Sequence, residues 1–285
     1  MPRTLTRALM AGTAAGILVL SLAACSGGGG STVAEDCTPA HDGLETISDG
    51  ELTVATYDYA PVTIIDGDSF SGMEGDLITE IAKLECLELT LTSAGGAGAV
   101  IPSIESGRAD LGSGNWLRTK ARESIVYMSL PLWSDPQAVV STSGLTSDDL
   151  EGKIVGSVAG NLWNDSMQKW LGDDFRIYQD DESIYADLAA GRIDALIAGA
   201  AVANYRFQDD PIEGATVINV SPNPNVPEFD AVGQVMLPSS LDNEAFGQAI
   251  DEDIEQLREN GTIKKILEKY GLDPAVGEPG EPTEL

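Results

Sequence analysis

Apolar positions along this chain switch between two spacings. Residues 52–56, Leu-Thr-Val-Ala-Thr, read as a short strand buried on both faces. Within residues 72–84, Leu77, Ile78, Ile81, Ala82 and Leu84 recur at helical spacing. Residues 87–92 alternate as a second strand, 99–106 form a short helix stopped by Gly107, and Ala109-Asp110-Leu111 opens a third strand. The alternation restarts at Lys153 with strand 154–158, amphipathic helix 161–171, strand 175–178, helix 182–190, strand 195–197 and helix 200–208. Two last helices, 243–259 and 262–270, flank the stop Asn260-Gly261. This order predicts an α/β fold with mainly parallel sheets, and the restart predicts two lobes. The Pro/Glu/Gly-rich residues 272–285 are predicted to be disordered.

The two halves share a local echo. Ile104-Glu105-Ser106-Gly107-Arg108-Ala109-Asp110-Leu111 is similar to Leu188-Ala189-Ala190-Gly191-Arg192-Ile193-Asp194-Ala195. In each, a helix ends at glycine, which tolerates positive φ, and an aspartate leads into a strand. Asp110 and Asp194 are read as corner hydrogen-bonders, not as ligand contacts.

Ahead of this body, Met1-Pro2-Arg3 and Arg7 precede an uncharged, mostly apolar run over residues 8–24. A cationic start, a short apolar core and small residues before a cut predict a secretory signal peptide over residues 1–24. Leu22-Ala23-Ala24-Cys25 resembles the bacterial lipobox, which implies that Cys25 is acylated and becomes the first residue of a lipoprotein. Residues 26–50 are expected to be a flexible tether and leader. The Gly/Ser stretch within residues 26–36 should reach about 18 Å on average. No other apolar stretch is long enough to span a bilayer.

Charge and residue inventory remove several chemistries. The formal charge is −30, and the leader holds Arg3 and Arg7 with no acid, so its loss leaves −32. Such a surface opposes nucleic-acid binding, which needs a basic footprint. Hydrophobic residues make up 42% of the chain, enough for real cores in one large domain or two medium lobes. Outside the cell the two remaining cysteines, Cys37 and Cys86, are expected to pair as a structural disulfide. The only histidine, His41, lies in the leader, so a Ser-His-Asp or Cys-His device is excluded. No His/Cys cluster offers zinc a site, and no metal or cofactor is expected. Gly96-Ala97-Gly98 begins like a dinucleotide loop, but Ile101 occupies the third glycine position.

Ordered landmarks carry a more specific resemblance. They are Tyr59-Ala60-Pro61, Gly72-Met73-Glu74-Gly75-Asp76-Leu77, Ser106-Gly107-Arg108-Ala109-Asp110, Thr119 with Arg122, Ser129-Leu130-Pro131, Asp149-Leu150-Glu151-Gly152-Lys153, Gly160, Gly191-Arg192-Ile193-Asp194-Ala195, and Gly261 with Lys269-Tyr270-Gly271. Together they resemble the family 3 solute-binding proteins that serve polar amino-acid ABC importers. The resemblance implies the type II periplasmic-binding-protein-like fold, with two lobes joined by a two-strand hinge. It places lobe one at 51–140 plus 231–271 and lobe two at 141–230, with crossings near 137–141 and 231–236. It implies a monomer that meets a membrane permease and closes on a small zwitterion.

The same resemblance places Arg122 as the carboxylate anchor, with Arg118 as competitor. An arginine offers a carboxylate a planar two-pronged fork. In lobe two, Gly160-Asn161-Leu162 would present main-chain N–H groups to an anion. Tyr57 and Tyr59 stand where the family packs an aromatic on the ligand, and Asn115, Trp116 and Leu117 form the neighbouring segment. Three departures stand out. Gly199 replaces the family's ammonium-binding aspartate, Leu117 a helpful hydroxyl, and Asn161 a threonine. Two accounts of the ligand's nitrogen follow. Either Trp116 and Trp163, with the tyrosines, cage a betaine- or ectoine-like cation, or another acid such as Asp66, Asp68 or Glu74 meets an amine. Transport, ligand sensing and dehydratase chemistry on the same fold are the competing functions. No positioned acid–base pair supports the last, so the chain is read as a non-enzyme.

Overall fold

The computed structural model describes residues 33–34, 36–67 and 69–283. The expected signal peptide 1–24, Cys25 and the glycine-rich stretch expected to be a tether lie outside the described residues. Two five-stranded sheets form the two lobes. In the first, Glu88–Ser93, Glu51–Thr56 and Leu111–Gly112 run parallel, and Pro238–Ser240 and Val126–Met128 complete the sheet. In the second, Phe175–Tyr178, Val155–Val158 and Ala195–Gly199 run parallel, followed by antiparallel Gln137–Ser141 and then Thr216–Asn219. Both sheets therefore have three parallel strands, then one strand of opposite direction that belongs to the later chain in the first sheet and to the earlier chain in the second.

The buried strands explain their own sequences. Leu52, Val54, Ala55 and Val155 are fully buried because helices cover both faces of the parallel strands. The Met73–Leu84 helix turns Met73, Leu77, Ile78, Ile81 and Ala82 inward, with Glu74 and Asp76 in its first turn and Lys83 in its last, as the helix dipole favours. Gly72 before it has φ 99°, and a Cβ there would lie 2.5 Å from the Val62 carbonyl oxygen, so only glycine fits. The Gly72 N–H donates to the Tyr270 hydroxyl at 2.7 Å. That hydroxyl in turn meets Asp76 Oδ2 at 3.1 Å, so the Thr262–Lys269 helix and its end return to lobe one.

The echoed aspartates do equivalent work. Asp110 accepts the N–H of Thr53 at 2.8 Å and of Ile47 at 2.7 Å; Asp194 accepts the N–H of Ile154 at 2.8 Å. Each carboxylate satisfies a main-chain donor at or near the start of its lobe's first parallel strand.

The connection between lobes is a three-stranded ribbon of Trp116–Leu117, Gly233–Met236 and Trp133–Asp135. The two crossings pair with each other, Gly233 opposite Asp135 and Val235 opposite Trp133. This shifts one expected boundary. Residues 137–140, assigned from the sequence to lobe one, lie wholly in the second sheet, with Gln137 opposite Gly199 and Val140 opposite Leu196. Pro136 has no N–H to donate to a ladder, and it separates the ribbon strand from the sheet strand.

Both chain ends of the described body are pinned. Cys37 and Cys86 form a disulfide, with Cα atoms 5.8 Å apart, tying the leader to lobe one. The tail is the second departure from expectation. It folds as a turn of 3-10 helix over Pro274–Gly277 and returns to the ribbon. Gln234 donates to the carbonyls of Pro279 and Glu281 at 2.8 and 3.0 Å, and its Oε1 accepts the Thr283 N–H at 2.7 Å. Composition favoured disorder here because it has few apolar residues. It could not show that a buried glutamine amide waits for partners.

Candidate functional site

A cavity of about 830 Å3 opens between the lobes. Its walls form at the carboxyl ends of parallel strands, where open α/β sheets gather ligands. Tyr57 follows Glu51–Thr56, and Asn115 and Trp116 follow Leu111–Gly112. On the other side Gly160 follows Val155–Val158, and Gly199 ends Ala195–Gly199. All of Tyr57, Tyr59, Asn115, Trp116, Leu117, Arg122, Gly160, Asn161, Leu162, Trp163 and Gly199 line it.

The lobe-one loop is held from behind. Buried Glu74 accepts the N–H of Gly114 at 2.7 Å and of Asn115 at 2.8 Å. Burial pushes its carboxyl up to about 7, while those two N–H groups favour the charged form. Gly114 has φ 131° and Asn115 φ 63°, and a Cβ on Gly114 would come within 2.5 Å of the Tyr57 ring. Glu74 therefore builds the loop and does not line the cavity. Asp66 is exposed on the Ile64–Asp66 strand and is also absent from the lining, and Asp68 lies outside the described residues.

Arg122 sits on the four-residue helix Lys120–Glu123, whose cap Thr119 accepts its N–H at 3.2 Å. Its guanidinium lies 4.7 Å over the Trp116 ring and donates through Nη1 to the Leu117 carbonyl at 2.6 Å. Burial lowers its pKa to about 10, so it stays charged at neutral pH. No carboxylate among the described residues pairs with it. Arg118 is occupied elsewhere: it pairs with Glu123 and donates to the carbonyls of Met128 and Ser129 at 3.0 and 2.9 Å.

The sequence profile of the bacterial extracellular solute-binding proteins, family 3, matches residues 52–273. The chain belongs to this family. The lysine/arginine/ornithine-binding periplasmic protein of Escherichia coli (strain K12) is 28% identical over 223 residues, covering 74% of this chain and 84% of the relative. The histidine-binding periplasmic protein of the same strain is 27% identical over 206 residues, covering 70% and 78%. The solved structure of the arginine-, lysine-, histidine-binding protein ArtJ from Geobacillus stearothermophilus superposes with a TM-score of 0.68 at 21% identity, covering 82% of this chain and 97% of that one. This solute-binding protein has the two-lobed type II fold and is not an enzyme.

In this family member a carboxylate from another strand stands beside Gly199. Asp135, at the end of the ribbon strand Trp133–Asp135, lines the cavity and is 2% exposed. A Cβ on Gly199 would lie 2.5 Å from Asp135 Oδ2, so the glycine leaves the room that the carboxylate fills. The backbone at Gly199 is ordinary, φ −61° and ψ 136°, so space alone calls for glycine. Asp135 accepts from Asn115 Nδ2 at 2.8 Å and from the Ala201 N–H at 3.1 Å. Burial pushes its carboxyl up, and these bonds oppose the shift. Asn115 Oδ1 and Gln137 Oε1, both on cavity-lining residues, are buried with no hydrogen-bond partner. The sequence reading missed Asp135 and Gln137. A proline between them and a family pattern with its acid on the other strand gave no signal.

The aromatic residues do not form a box. Trp116 already carries Arg122 on its face. Trp163 packs with Met167, Phe175 and Ile197 in the lobe-two core and donates to Ser157 Oγ at 2.9 Å. Tyr57 and Tyr59 stack on each other, centroids 5.7 Å apart and planes 28° from parallel. The cage for a shielded cation is thus not favoured.

The cavity rim is acidic. Asp58, Asp180, Asp181, Glu182 and Asp210 join Asp135 in the walls, against Arg122 and Arg206. Arg206 is committed to Glu182 at 2.7 Å and lies 4.5 Å over the Tyr185 ring. Asp181 has its carboxyl pushed up to about 6, chiefly by burial.

If Gly199 exists to make room for Asp135, Gly199→Ala will lower stability by about 1–3 kcal/mol, the usual cost of overpacking. Urea unfolding measures this, and an unchanged midpoint would contradict the packing argument.

Proposed function

We propose that this protein holds an amino acid with a cationic side chain between its lobes and delivers it to an ABC permease in the membrane. One observation carries the reading. An unpaired guanidinium, Arg122, shares the cavity with a corner of buried acceptors formed by Asp135, Asn115 Oδ1 and Gln137 Oε1. The guanidinium suits a carboxylate, and charge-assisted bonds of this kind are about twice as strong as neutral ones. An ammonium has three N–H donors, and the acceptor corner offers it one anion and two amide oxygens. The lobe-two turn from Gly160 to Trp163 lies on the facing wall, ahead of the Asn164–Leu171 helix, where main-chain N–H groups favour an anion.

The remaining acids select the side chain. With Arg206 neutralised by Glu182, the wall retains more negative than positive groups, so a ligand with net positive charge balances it. The relatives named for lysine, arginine, ornithine and histidine agree with this sign. The body is held near the membrane by acyl groups on Cys25, which lies outside the described residues, and works as a monomer. Among the described residues no helix is long and apolar enough to cross a membrane.

A thermal-shift and calorimetry panel of arginine, lysine, ornithine, histidine, glutamate, glycine betaine and ectoine tests this. A cationic amino acid at about a hundredfold its Kd should add about 2.7 kcal/mol to stability. Arg122→Ala should weaken it at least a hundredfold, about 2.7 kcal/mol for a charged anchor. Tight binding of betaine or ectoine with none of the cationic amino acids would overturn the assignment.

A pH profile follows from Asp181. Its raised pKa of about 6 means it is charged above that value and neutral below it. Affinity for a cationic amino acid should hold from pH 8 to 7 and decline as pH falls through 6. Asp181→Asn should flatten that decline. A profile equally steep in both proteins would assign the titration elsewhere.

A further inference from the structure

Away from the cleft, three metal-binding side chains meet beneath the N-terminal leader. His41 lies on the leader, Glu85 caps the Met73–Leu84 helix, and Asp253 belongs to the Glu244–Glu259 helix. One donor atom from each lies within 4.8 Å of the other two. His41 Nδ1 is 2.6 Å from Glu85 Oε1, and Nε2 is 3.1 Å from Glu252 Oε2. Glu85 is 4% exposed and Asp253 only 1%.

Asp253 is the group that needs explaining. Both of its carboxylate oxygens are buried, and neither has a hydrogen-bond partner. No lysine or arginine among the described residues pairs with it. Buried charges are ordinarily paired or bound to a metal. Here a second buried carboxylate, Glu85, stands in the same cluster and raises the demand for positive charge.

We propose that His41 Nδ1, Glu85 and Asp253 bind a divalent transition-metal ion of the zinc class, which clamps the leader to lobe one. Zinc takes imidazole nitrogen and carboxylate oxygen at about 2.0–2.2 Å, which places tetrahedral donors about 3.4 Å apart. The widest donor spacing, up to 4.8 Å, therefore has to close by about 1.4 Å, and the 2.6 Å between His41 Nδ1 and Glu85 Oε1 has to open by about 0.8 Å. An imidazole ligand disfavours calcium and magnesium, which prefer oxygen donors. Glu252 completes the arrangement from outside, its Oε2 facing the second ring nitrogen at 3.1 Å, and the ion would take the place of the proton shared between Nδ1 and Glu85 Oε1, releasing that proton to solvent. The clamp would lie beside the Cys37–Cys86 disulfide, since Glu85 precedes Cys86 directly. None of these residues lines the interlobe cavity, so the outcome is independent of the amino-acid reading. The sequence showed no cluster because the donors come from positions 41, 85 and 253.

Calorimetric titration of Zn2+ alone into the chelator-treated full chain tests the site at pH 7.5. One equivalent should bind, Ca2+ in tenfold excess should not displace it, and Asp253→Asn and His41→Gln should each weaken it at least tenfold. Zn2+ should also raise the melting temperature of the wild type and not of the variants. If Asp253→Asn fails to fold, His41→Gln on the leader decides alone. Absence of Zn2+ uptake by the folded wild type, uptake unchanged by the variants, or displacement by Ca2+ would each overturn the proposal.

Discussion

A guanidinium withdrawn from water without a carboxylate beside it is an unfinished ion pair. Arg122 is in this state, mostly buried, propped against Trp116 and fastened by one N–H to the Leu117 carbonyl. Its charge persists at neutral pH, and its remaining donors have no protein acceptor among the described residues. Such a group costs the ligand-free protein stability and returns it when an anion arrives. Around it, the acceptor corner at Asp135 is unfinished in the opposite sense, with two amide oxygens left unpaired. The zwitterion proposed above would satisfy both.

The fold keeps these groups in place without filling the gap. Glu74 spends its carboxylate on two main-chain N–H groups, so the loop that carries Asn115 and Trp116 is rigid before ligand enters. The ribbon strand that carries Asp135 is also one of the two crossings between lobes. Hinge and acceptor therefore share a strand, and a ligand held by Asp135 and the lobe-two turn acts directly on the joint. The tail fastens to Gln234 on the partner strand of that joint, which binds the far end of the chain to the same mechanical element.

Much of this was legible from residues 52–271 as a string. Periodicity located the parallel strands and their helices, because strands covered on both faces read as apolar runs. The echo around Asp110 and Asp194 was also readable, since each aspartate holds a main-chain N–H of the first parallel strand of its own lobe or of the residue just before it. The site's acid was not. The family pattern directs attention to Gly199, and a glycine carries no trace of which neighbour occupies the space it leaves. Asp135 lies two residues before Gln137, the residue paired with Gly199, and pairing across strands is invisible in one sequence. The tail and the His41 cluster were hidden for the same reason. Each depends on a partner more than forty residues away, Gln234 for Thr283 and Glu85 for His41.

The central claim is that the ammonium's counter-charge moved from position 199 to position 135 while its place in space stayed fixed. Binding of the cationic amino acid to Asp135→Ala and to Asp135→Ala/Gly199→Asp, measured by calorimetry side by side, tests this most directly. The account predicts that the first loses affinity by a hundredfold or more and that the second regains most of it, because the carboxylate re-enters the same space from the facing strand. Full affinity in the single variant, or no recovery in the correctly folded double variant, would contradict it.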